Sequence, residues 1–252
     1  TRRNGDFLEY KILGNIINSQ INIHREYGGV FPMLAKREHI KNLPILYKEL
    51  LESSGIDEKM INKIAVTSGP GLEPALWTGI LFAKDLGNKL NIEVYSVNHM
   101  EGHIFSTFIS HSDKMNEFNQ IKKVEFPAIA LLISGGHTEL VKVSSIGKYE
   151  VLGKTVDDAV GEAFDKVARM LGLPYPGGPE ISKLAGIYRK KNVENEFALP
   201  RPMLHSKDLN FSFSGLKTSV LYLLQNLGEI SENQKENICM EFENAVTDVL
   251  IY

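Results

Sequence analysis

His99 and His103, four positions apart in the stretch NHMEGH, are the first residues whose types and spacing suggest chemistry. Residues four apart stack along one face of a helix, so both imidazoles can reach a single divalent ion while Glu101 points elsewhere. Asn98 can cap such a helix with Glu101 at its third position, which sets His99 at the first. Two polar residues sharing a surface face are the ordinary alternative, and spacing alone does not choose between them. The order departs from HExxH, because Met100 stands where a zincin has its glutamate, so a peptidase of that type fits poorly.

A second cluster is Ser134-Gly135-Gly136-His137-Thr138. Two glycines at a corner between strands leave main-chain N–H groups unobstructed, which suits a phosphate or acyl-phosphate oxygen; a plain hairpin turn is the competing reading. Ser134 and His137 beside the corner can each donate to a ligand. Farther on, Asp158, Glu162 and Asp165 fall on one helical face by spacing. A solvated acidic surface is the default there, and the alternative is that Asp165 accepts from ribose hydroxyls. Tyr175-Pro176-Gly177-Gly178-Pro179 reads as a loop that also lets a planar ligand or sugar approach the backbone. No chemistry is assigned to Phe211–Ser219 from spacing, and Trp77, Phe105 and Phe108 are read as core residues.

The elements that must position these groups form an α/β pattern. Residues 9–19 read as a strand-like run, and a helix starting after Pro32 ends at Ser53-Ser54-Gly55. A strand over 63–67, a helix over about 75–90 and a strand over 93–97 form a βαβ-like unit that delivers the chain to His99, a place where open α/β sheets bind ligands. Residues 110–125 read as a polar surface excursion. Strands over 127–134 and TELVKVSS make a hairpin around Gly135-Gly136, a third strand covers about 149–155, and Asp157-Asp158 opens a helix. Helices over 181–189, 217–227 and 232–250 follow.

Composition bounds the rest. The 252 residues are 43% hydrophobic, enough for one large domain or two modest ones. A net charge of −3 argues against a generally basic nucleic-acid-coating protein, though not against a local patch. Cys239 is the single cysteine, so no internal disulfide forms. No run approaches a membrane span and no leader-like segment is seen, so a cytoplasmic location is expected.

Six stretches occur in order: YGGVFPMLAKREH, TSGPGLEPALWTG, NHMEGH, LLISGGHTELV, DDAVGEAFDKVARMLGLPYPGGP and NFSFSGLKTS. Together, from about residue 10 to 250, they resemble the bacterial and mitochondrial branch of the TsaD family, the tRNA N6-adenosine threonylcarbamoyltransferases. The resemblance implies a two-lobed actin/Hsp70/sugar-kinase-like (ASKHA) fold. Residues 1–110 would form the N-terminal lobe, without its first strand and phosphate loop, and residues 111–252 the second lobe with a helical insertion. It also implies transfer of threonylcarbamoyl from threonylcarbamoyl-AMP to N6 of the adenosine 3′ of the anticodon in tRNAs reading ANN codons. Matched residue by residue, His99 and His103 become ligands of one iron (Fe2+) or zinc ion, with a third ligand, an aspartate, expected beyond residue 252. Leu132, Ile133, Ser134, Gly135 and Gly136 match the adenylate loop, Asp165 a ribose-contacting carboxylate and Gly178 a glycine of the same site. His137 lies beside them, and no side chain is assigned as nucleophile or general base.

The implied partners are tRNA with TsaB and TsaE, or a second copy of the chain in the mitochondrial type. The family's phosphate loop and its distal glycine-rich segment are not found, so the chain reads as a piece that is expected to be inactive alone. Two other readings compete with transfer: a phosphotransferase or ATPase of the same fold, and a non-catalytic scaffold paralogue, against which the histidine pair argues.

Overall fold

The chain divides into two compact units, Thr1–His24 with Val30–Glu125, and Arg25–Gly29 with Phe126–Tyr252. The computed structural model describes residues 2–4, 7–110, 118–122 and 124–252.

The first unit begins with β1 (Arg2–Asn4) and β2 (Phe7–Lys11), paired antiparallel. The strand expected over 9–19 stops at Lys11, and residues 12–20 carry no regular structure. Gly14, Asn15 and Asn18 interrupt the apolar run there, and such residues favour turns over a pleated ladder. After the short α1 (Ile21–Arg25), α2 (Pro32–Ser54) starts with proline in its first turn and ends at Gly55 in the left-handed conformation, φ 65°. Then β3 (Lys63–Gly69), α3 (Glu73–Leu90) and β4 (Glu93–Asn98) form the expected βαβ unit, its two strands parallel.

Small residues at four-residue intervals seat α3 on this strand pair. Ala83 and Gly87 are buried, and a methyl at Gly87 would stand 2.5 Å from Val94 Cγ2. Trp77 and Leu81 lie on another flank and are 52% and 55% exposed, which corrects the reading of Trp77 as a core residue. With Ile40 and Leu43 of α2 they line an open groove of about 250 Å³.

From β4 the chain enters α4 (His99–Ser106), then β5 (Ile109–Ser110) and β6 (Phe118–Ile121). The polar excursion expected over 110–125 thus contains a strand: β6 lies between β2 and β5 in a sheet of order β1-β2-β6-β5. Its polarity misled because Asn119 and Glu9 are buried polar residues, Glu9 accepting from the exposed Gln120 at 3.1 Å. Residues 111–117 and 123 of that excursion lie outside the described residues.

The second unit holds an antiparallel meander of β7 (Ala128–Ile133), β8 (Thr138–Ser145) and β9 (Lys148–Lys154). Four helices follow: α5 (Val160–Met170), α6 (Gly177–Lys191), α7 (Ser214–Leu227) and α8 (Glu232–Ile251). Helix α5 is strongly amphipathic, burying Val160, Ala163, Val167 and Ala168, a spacing that keeps one face on the core. Helix α8 is capped by a Ser231/Gln234 box and buried along most of its length. Phe213, Phe242, Ile181, Leu216 and Ile238 are fully buried at the centre, each contributing about 1.5–3 kcal/mol of transfer free energy. Helix α6 begins at Gly177, earlier than the expected 181, so the glycine pair forms its first turn. Among the described residues no helix is long and apolar enough to cross a membrane.

Candidate functional site

Asn98 builds the histidine pair. Its side chain accepts the amides of Met100 at 2.8 Å and Glu101 at 3.2 Å, capping α4 as its residue type predicts. Met100 and Ile104 are buried, which turns His99 and His103 outward on an exposed face. Their Nε2 atoms stand 3.1 Å apart, with ring centroids at 4.5 Å. Two nitrogens that each bind one ion at about 2.0–2.1 Å, at octahedral to tetrahedral angles, are roughly 2.8–3.4 Å apart, so this pair has the bite of a chelate. Both Nε2 lone pairs are then needed, which leaves the ring protons on Nδ1. Among the described residues no group of three or more His, Cys, Asp or Glu side chains is arranged around an ion, so this pair would supply two ligands of a larger set.

The corner between β7 and β8 runs Ser134–His137, with Ile133 paired to Thr138. Ser134 N donates to His137 O at 2.9 Å and His137 N donates to Ser134 Oγ at 3.1 Å, so the His137 amide is used within the turn. Gly135 and Gly136 are exposed, neither is in the left-handed region, and a methyl on either would meet open space. Neither backbone conformation nor the protein's own packing therefore calls for glycine at these two positions. Their amides have no acceptor among the described residues, and they form a bare strip of main chain open to an anionic ligand. Leu132 is buried beneath the corner and Ile133 is half exposed.

Behind the corner lies the first turn of α5. Gly161 N donates to Ser134 O at 3.3 Å, and a methyl at Gly161 would stand 2.6 Å from the Gly135 Cα. One turn further along α5, Asp165 accepts the Gly177 amide at 2.7 Å. Gly177 is buried, with room for no side chain: a methyl there would lie 2.4 Å from Ala168 Cβ. Burial and the nearby Asp165 charge both raise the Tyr175 phenol above its ordinary pKa. Gly178 is half-buried over Phe164, with space for a further atom.

The shared acidic face does not form as expected. Asp158 precedes α5 and is held by Lys166 at 2.7 Å and Lys217 at 3.1 Å; burial raises its pKa, but these two lysines outweigh that and lower it. Asp157 does not cap α5, whose N-cap is Ala159. It reaches instead to the start of α7, accepting from Ser212 Oγ at 2.6 Å, Phe213 N at 2.8 Å, Ser214 Oγ at 2.7 Å and Ser214 N at 3.2 Å. Thr138, Gly177 and Asp157 lay within stretches that spacing marked, without a role of their own there; Gly161 was not singled out, and its only signal was its place in DDAVGEAFDKVARM. Arg201, a basic residue near the same helices, is engaged by Glu241 and Asp248.

A profile of the family described as TsaD, tRNA N6-adenosine threonylcarbamoyltransferase, matches residues 11–252. The tRNA N6-adenosine threonylcarbamoyltransferase of Thermosipho africanus (strain TCF52B) is 48% identical over 241 residues, 96% of this chain and 68% of that protein. Those of Thermosipho melanesiensis (strain DSM 12029 / CIP 104789 / BI429) and Dichelobacter nodosus (strain VCS1703A) are 46% and 45% identical, over 96% and 95% of this chain and 69% and 66% of their own lengths.

Proposed function

The chain belongs to the TsaD family of tRNA N6-adenosine threonylcarbamoyltransferases, acyltransferases of tRNA modification, and from that premise we propose how its residues take part in the transfer. The donor is threonylcarbamoyl-AMP and the acceptor is N6 of the adenosine 3′ of the anticodon in tRNAs reading ANN codons. The observation that carries this assignment is the bare Gly135-Gly136 corner clamped to the helix that bears Asp165.

Leu132, Ile133, Ser134, Gly135 and Gly136 cradle the adenylate, with His137 at its edge. The Gly135 and Gly136 amides donate to phosphate oxygens and stabilise the charge that AMP acquires as it leaves. Asp165 accepts from the ribose hydroxyls, and Gly178 leaves room for the sugar. In the transfer, N6 bonds to the carbamoyl carbon, the bond from that carbon to the phosphate oxygen breaks as AMP leaves, and the proton N6 loses passes to solvent. The adenine amine is a weak nucleophile, so holding the two reactants in register provides much of the acceleration.

His99 and His103 would hold one divalent ion, iron or zinc, which supplies a Lewis acid for the carbamoyl group when bound. The Nε2 spacing of 3.1 Å supports that assignment. The same reading brings an ASKHA-type arrangement of two lobes, a cytoplasmic location, and TsaB and TsaE, or a second copy of the chain, as protein partners.

The test is transfer of labelled threonylcarbamoyl from its adenylate to unmodified tRNA by the complete protein, with and without those partners. Label in N6-threonylcarbamoyladenosine is the expected result. Release of AMP with no label in tRNA, or phosphorylation of an acceptor, would overturn the assignment.

A further inference from the structure

We propose that Thr138 is a positioning residue of the adenylate site, acting through a buried hydroxyl that holds the Gly135-Gly136 corner at a set distance from Asp165. Thr138 is 0% exposed, so its hydroxyl serves no solvent. Its Oγ1 accepts the Val160 amide at 3.0 Å, an N–H in the first turn of α5 that has no partner within the helix. Its carbonyl accepts the Thr155 amide at 2.9 Å, tying the strand end to the segment that leads into α5. One residue along, Gly161 N reaches Ser134 O on the other side of the same corner. Ser134 and Thr138, on the two sides of the turn, are therefore bonded to consecutive amides of α5, those of Gly161 and Val160 respectively.

Asp165 lies on that helix and is bonded in turn to Gly177. The amides of the corner and the carboxylate of Asp165 consequently belong to one hydrogen-bonded frame, and Thr138 is the fully buried side chain within the link. A ligand that spans phosphate and ribose must meet both groups at once, so an error in their separation weakens binding of the adenylate without altering either contacting group. Gly161 serves the same register sterically, because the 2.6 Å approach of a methyl there to the Gly135 Cα would push the corner away from the helix.

This inference rests on the adenylate assignment above. Its test compares Thr138→Val, nearly isosteric but unable to accept the Val160 amide, with Thr138→Ser, which retains the oxygen. In the complete protein Thr138→Val raises the KM for threonylcarbamoyl-AMP roughly tenfold with kcat within about twofold, and Thr138→Ser restores the KM. Gly161→Ala raises the same KM by a different route and serves if Thr138→Val does not fold. An unchanged KM in a folded Thr138→Val protein, a normal KM in Gly161→Ala, or a Thr138→Ser protein as impaired as the valine variant would overturn the inference. Failure of the underlying assignment has a separate signature: the unsubstituted protein would not saturate with the adenylate at all, and the positioning role would fall with it.

Discussion

The Asp165 carboxylate accepts the Gly177 amide at 2.7 Å, joining the second turn of α5 to the first residue of α6. One oxygen thus orders the loop that carries Tyr175 and the first turn of α6 that carries Gly178, while the group as a whole remains half-buried and able to meet a ligand. Asp165→Ala removes a charge-assisted bond and is expected to lower stability by about 1–3 kcal/mol, read from urea unfolding. The same variant should raise the KM for the adenylate at least about tenfold. A KM equal to that of the unsubstituted protein would separate Asp165 from the ligand.

His99 and His103 are exposed and contribute little to packing, so their replacement should spare the fold. His99→Ala and His103→Ala are each expected to abolish stoichiometric iron or zinc, measured by elemental analysis of dialysed protein, with unchanged far-UV circular dichroism. Full metal content in both variants would show that the pair is not a ligand set.

Asn98 acts one step behind that pair. Its oxygen satisfies two of the four unbonded amides at the start of α4, so Asn98→Ala should cost about 1 kcal/mol in thermal or denaturant unfolding. Fraying of this turn would also loosen His99, at the first helical position, more than His103. A fall in metal affinity larger than that loss of global stability accounts for would locate the effect in that turn.

Asp157 gives the clearest pH dependence. Burial raises its pKa, but the Ser212 and Ser214 hydroxyls and the Phe213 and Ser214 amides outweigh it, holding the carboxyl at about 2 against an ordinary 3.8. A folded-state pKa below the unfolded one contributes stability above pH 3.8, lost as pH falls through about 2. The group is exposed enough that solvent screening limits the gain to about 1 kcal/mol. Asp157→Asn should therefore destabilise the protein at pH 6 and flatten its stability between pH 4 and 2, as measured by urea midpoints across that range.

What could be read from the sequence follows the range of the interactions involved. The shared face of His99 and His103 and the cap by Asn98 are set within a few residues, and spacing with residue type sufficed. Helix α3 offered two apolar flanks, and only packing against β3 and β4 shows that the small residues face the strands while Trp77 faces outward. Asp157 carries the features of a helix cap for the segment just after it, yet its partners Ser212, Phe213 and Ser214 lie 55 to 57 positions away, beyond any local pattern. Strand β6 escaped notice because buried Asn119 and the Glu9–Gln120 pair imitate a surface composition. The Gly-Gly corner was visible as a turn, but that its glycines answer to neither dihedral need nor crowding depends on packing with elements distant in the chain.

Residues Arg25–Gly29 belong to the second unit, where Arg169 donates to the Gly28 carbonyl and Arg25 Nε donates to Tyr175 O. These partners are 141 and 150 positions apart in the chain. On the ribosome, the earliest piece of the second unit therefore emerges long before the helices it rests on. That five-residue stretch meets its partners only after the whole first unit has been synthesised, so the second unit is not completed from one continuous length of nascent polypeptide.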